Sequence, residues 1–120
     1  MRLLEGIDKL GWPRSTTNDG WHSVDVALGA RSHVVRLRRG ADKSWTVMAM
    51  VPDQDPAPGP LELSQDNVRS GLAWWCFEDG GPSAISIIAA DVPLSLALEY
   101  VVAVACLADR YELQLSELDK

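Results

Sequence analysis

The sequence has few of the residues that most protein chemistry needs: two cysteines and two histidines in 120 residues. Cys76 and Cys106 stand far apart and form no CxxC pair. No basic-then-apolar leader precedes the first charged helix, so a cytoplasmic, reducing location is expected. Both thiols are then expected to act as small buried hydrophobes. His22 and His33 fall on neighbouring predicted strands with Asp25 close by, but two lone histidines do not make a metal set, and no metal or cofactor is expected. GxSxG, GxxxxGK[ST] and GxGxxG are all missing, which removes a nucleophile elbow and both phosphate cradles. No catalytic residue is expected.

Positive charge is scarce as well, with 11 Lys and Arg against 17 Asp and Glu and a net charge of -6. Proteins that track phosphates gain affinity from rows of cations, so nucleic acid is not an expected partner. The run Arg36-Leu37-Arg38-Arg39 is the one local exception. It reads as a solvated strand face or edge, with an acidic-peptide or nucleic-acid contact as the other reading. Long apolar runs are missing too. Asp91, Pro93 and Glu99 interrupt the stretch from Ala84 to Ala108, and the unbroken piece Tyr100 to Ala108 is about half the ~20 residues of a membrane span. No membrane association is expected.

What remains is ordinary globular material. Hydrophobic residues make up 47% and charged residues 23%, enough for one core in a single domain, 1–120. Leu3, Leu4, Ile7 and Leu10 recur at helical spacing within Met1 to Leu10, and Gly11 to Pro13 ends the pattern. Ser15 to Gly20 reads as polar turn. Alternating apolar and polar residues then predict strands over Trp21 to Leu28, His33 to Arg39 and Ser44 to Val51. The turns Gly29 to Ser32 and Gly40 to Lys43 are short enough to require antiparallel neighbours. Residues 52–60 are a proline-rich surface connector, and Leu61 to Arg69 resumes as a brief helix. Leu72 to Glu78 and Ala84 to Ala90 form a hairpin about Asp79-Gly80-Gly81-Pro82, and Pro93 opens a last helix, Leu94 to Leu118.

The predicted fold is therefore α+β, a twisted five-stranded antiparallel sheet in the order α-β-β-β-α-β-β-α. Its later strands are apolar on both faces. Met48 and Met50 oppose Trp45 and Val47, Trp75 and Phe77 oppose Trp74 and Cys76, and Ile88 opposes Ile85 and Ile87. Such a sheet needs cover on both sides. The last helix carries only Glu99 as a charge between Leu96 and Ala108, the pattern of a helix buried all round. Leaving ~400 Å² of apolar surface in water forgoes ~10 kcal/mol of burial. A partner surface containing Met48, Met50, Trp75, Phe77 and Ile88 is expected from this surplus, with a homodimer as the simplest way to cover it.

The element order, the proline-containing loop before the short helix, the Asp91-Val92-Pro93 exit and Ala108-Asp109 near the middle of the last helix resemble one known group. They resemble the type III secretion chaperone-like fold and, within it, the bacterial sensory-transduction-regulator (YbjN-like) family. The resemblance implies a dimer that holds a client segment against apolar grooves, and it implies no enzymatic activity. The expected function is a non-enzymatic chaperone-like adaptor or regulator, its acidic charge favouring a basic or amphipathic client. The alternative is a small-molecule sensor or enzyme with a pocket that includes Glu99 or His22.

Overall fold

The computed structural model describes residues 2–50, 73–78 and 81–118. Two helices and six strands appear in chain order: α1 (Leu3–Lys9), β1 (Arg14–Thr16), β2 (His22–Leu28), β3 (Arg31–Arg39), β4 (Trp45–Met50), β5 (Trp74–Glu78), β6 (Gly81–Ile88) and α2 (Leu94–Leu118). All strand pairs are antiparallel, in the spatial order β1-β2-β3-β4-β6-β5. The α+β class and the antiparallel meander are as expected from the sequence. The proline-rich connector and the expected helix at Leu61 to Arg69 lie outside the described residues.

The strand count is corrected from five to six. Arg14–Thr16 pairs with Val24–His22, although its residues carry no apolar alternation that would mark a strand. Backbone pairing alone makes it one, and Arg14 ties it to α1 by donating from Nε and Nη2 to the Asp8 carboxylate at 3.0 and 2.9 Å. The hydrogen bond from Arg14 holds the Asp8 carboxyl below its ordinary range.

β3 begins two residues earlier than the alternation suggested. Leu28 pairs with Arg31 across a two-residue loop, and Gly29, at the first loop position, has φ 69°. That backbone region suits glycine and allows the tightest hairpin. The β5–β6 hairpin is also tighter than expected, because Glu78 already pairs with Gly81.

Packing follows from strand parity. Val24 and Val26 on β2, Val35 and Leu37 on β3, Val47 on β4 and Ile88 on β6 are fully buried under α2, which contributes Ala97, Val101, Val104 and Ala108 to the same core. α1 seats beside the first turn of α2, where a Cβ on Gly6 would come within 2.8 Å of Leu94 Cδ1. Complete burial of α2 does not occur. Ser95, Glu99, Cys106 and Arg110 follow one another along an outer side that is exposed, because α1 is too short to cover it. Among the described residues, no helix is long and apolar enough to cross a membrane.

Candidate functional site: the uncovered sheet face

Opposite α2, the sheet presents a second face with a different character. Pairing aligns Ser23, Arg36, Met48, Ile85 and Trp74 in one cross-strand row over β2, β3, β4, β6 and β5. The next row is Arg38, Thr46 and Ile87. Four large hydrophobic residues are exposed among those described, namely Leu10 at 51%, Val34 at 54%, Trp74 at 39% and Ile87 at 55%. Three of the four, Val34, Trp74 and Ile87, stand on this face. Met48 and Ile85 between them are half-buried.

The two arginines border the apolar row. Arg36 lies over the Trp21 ring at 4.9 Å and reaches Asp19 with Nη2 to Oδ2 at 3.4 Å, and Arg38 lies 5.8 Å from the same ring. Guanidinium groups stacked on an indole keep their charge and lose little mobility when a partner arrives. The basic run thus does occupy a solvated strand face, and that face is the one richest in exposed apolar side chains.

The residues expected to form the partner surface divide between the two faces. Met48 is on the open face. Trp75, at 3% exposure, and Ile88, at 0%, are core residues beneath α2, so neither is available to a partner. The edge of the Trp75 ring meets Tyr111 of α2 at 5.5 Å between centroids. The side chains of Met50 and Phe77 lie outside the described residues. Trp74 and Ile87, each the immediate neighbour of a misassigned residue, are the exposed ones.

The histidines do not share a site. His22 pairs with Leu37 and His33 pairs with Val26, which sets them four residues apart along β2, or ~13 Å. Asp25 points to the other face. His22 shares a hydrogen bond with Thr16, Oγ1 to Nδ1 at 2.9 Å, and tilts against Trp45. Burial, with Arg14 nearby, lowers its pKa and favours the neutral ring.

His33 instead meets α2. Its Nδ1 is 3.6 Å from Glu112 Oε2, and Asp109, one helical turn earlier, accepts from Arg31 at 2.8 Å. Sequence reading missed Arg31, Asp109 and Glu112 as a group, since 78 positions separate Arg31 from Asp109. A polar residue at a sheet-facing helical position, Asp109, was the available signal.

Glu99 is exposed at the margin of a shallow groove of about 510 Å³ whose walls include Leu10, Trp12, Leu98 and Val102. His22 is not part of this groove. Neither cysteine is in a disulfide; Cys76 is half-buried, and Cys106 is exposed rather than buried as expected. Desolvation by its neighbours, with Asp109 adding to it, raises the Cys106 pKa and disfavours the reactive thiolate. No protein-family model matches the chain, and no curated protein matches it.

Proposed function

We propose that this chain is a non-enzymatic protein-binding domain, a chaperone-like adaptor or regulator, that pairs with a second copy of itself through the open face of its sheet. One observation carries the reading: Val34, Trp74 and Ile87 are exposed together on the face that α2 leaves bare. Exposed apolar surface gathered on one face marks an interaction site more often than scattered exposure does. The reading agrees with the resemblance to the YbjN-like family and the type III secretion chaperone-like fold.

Size and charge favour a second copy as the occupant. The four strands from β3 to β5 at ~4.8 Å spacing and ~20 Å length give a flat footprint of ~400 Å². Side-chain relief brings this toward the ~600 Å² per partner at the lower end of specific interfaces. Each copy carries -6, so two copies repel unless they meet where acids are few. From β3 to β5, the described side chains of this face include Arg36 and Arg38 and no carboxylate. The apolar cluster of Met48, Ile85 and Trp74 runs from β4 out to the edge strand β5, with Arg36 and Arg38 on its inner side on β3, and a two-fold axis through it would set apolar cluster on apolar cluster.

Sedimentation velocity over a concentration series provides the test. A reversible dimer below high micromolar concentration is expected. A strict monomer throughout that range would reject the homodimer and leave a foreign amphipathic segment as the occupant. The competing reading, a small-molecule sensor, draws on the groove beside Glu99. It predicts metabolite-induced thermal shifts that Glu99→Gln abolishes.

A further inference from the structure

We propose that His33, Asp109 and Glu112 form a binding site for one divalent zinc-class cation, held between β3 and the C-terminal half of α2. Each residue offers one ligand atom, and the three atoms lie within 4.8 Å of one another. Metal–ligand distances of ~2.0–2.2 Å place tetrahedral ligands about 3.4 Å apart. The present cluster is wider than that by up to about 1.4 Å. The Glu112 side chain, 30% exposed and with three torsions, has the freedom to close it.

The second observation concerns His33 itself. Its side chain is only 7% exposed, yet its ring makes no hydrogen bond among the described residues. The carboxylate oxygen it faces, Glu112 Oε2 at 3.6 Å, is beyond hydrogen-bond reach. Buried imidazoles are normally satisfied, and here the ring is aimed at two carboxylates. A cation at their meeting point would satisfy all three groups.

Arg31 suits this arrangement. It donates to Asp109 Oδ1 at 2.8 and 3.2 Å and reaches Oδ2 only at 3.3 Å, so Oδ2 retains the greater capacity for a metal. Carboxylates that bind metals are commonly oriented by such outer hydrogen bonds. Asp109 and Glu112, three apart, share one side of α2. An imidazole with two carboxylates suits zinc and its divalent neighbours better than calcium or magnesium, which take oxygen alone. Three protein ligands leave a fourth position for water.

The test uses the full chain, stripped with a chelator and titrated with zinc chloride in a calorimeter, with cobalt(II) absorption as a second readout. One zinc ion per chain is expected. Glu112→Gln, at a half-buried position that tolerates change, should weaken binding at least tenfold, and His33→Gln should do the same. Circular dichroism verifies that both variants are folded. Cys106→Ser controls for a surface thiol one turn away and should bind like the wild type. Absence of zinc binding by the folded wild type overturns the proposal, as does a Glu112→Gln variant that binds equally well.

Discussion

Ile87 and Ile88 are adjacent, chemically identical side chains on β6, and they meet opposite fates: Ile88 is fully buried and Ile87 is 55% exposed. Trp74 and Trp75 repeat the contrast on β5, at 39% and 3%. Hydrophobicity therefore says that a strand has two apolar faces and not which one the chain will cover. Among the described residues, one long helix, α2, covers one face of the sheet. The other keeps apolar side chains in water, where each forgoes up to ~1.5–3 kcal/mol of burial. In the covered face these groups supply stability; in the open face they remain exposed, and the proposed pairing of two copies would cover them.

The sharpest way to break this contrast is to truncate both isoleucines. Ile88→Ala should cost about 2–5 kcal/mol in urea unfolding, since it leaves a cavity beneath α2. Ile87→Ala should change the monomer by less than about 0.5 kcal/mol. Comparable losses at the two positions would mean that both faces are core.

A smaller effect is expected where charge, rather than packing, fastens the covered face. Arg31→Ala leaves the buried Asp109 carboxylate without its guanidinium, and a lower midpoint of denaturant unfolding is expected. The Arg31 side chain is 50% exposed, which keeps the effect below that of a fully buried pair.

The smallest effect concerns pH. His22 has a pKa lowered from 6.5, so the unfolded chain binds its proton more readily than the folded one. Its neutral ring is therefore compatible with full stability above pH 6.5, and stability falls as pH drops from there through the lowered folded value. Thermal melts at pH 7.5 and 5.5 should show a larger drop for the wild type than for His22→Gln.

The parts of the fold that a sequence makes legible are those fixed by local pattern. Alternation placed Val24, Val26, Val35 and Leu37 on one face, and the helix from Leu94 to Leu118 has the bounds its periodicity suggested. Short turns gave the antiparallel order of β2 through β4 but not its register, in which Leu28 pairs with Arg31 and Arg36 with Met48. That chain of inference breaks at residues 51–72. Beyond them nothing local fixes whether Trp74 or Trp75 shares the face of Met48, and the tertiary choice went to Trp74. β1 was illegible because three polar residues pair through backbone alone. The His33–Asp109–Glu112 cluster was illegible because it joins a strand to a distant helix, and because Arg31, in the tight hairpin at Gly29, looked like turn.

The most direct measurement compares two lysine substitutions at equally exposed apolar positions, by light scattering across a concentration series. Ile87 and Leu10 are 55% and 51% exposed, but only Ile87 is on the open sheet face. Ile87→Lys should abolish dimerisation, and Leu10→Lys should leave it unchanged. If Ile87→Lys dimerises like the wild type, or if Leu10→Lys is the variant that fails, the open face of the sheet is not where two copies meet.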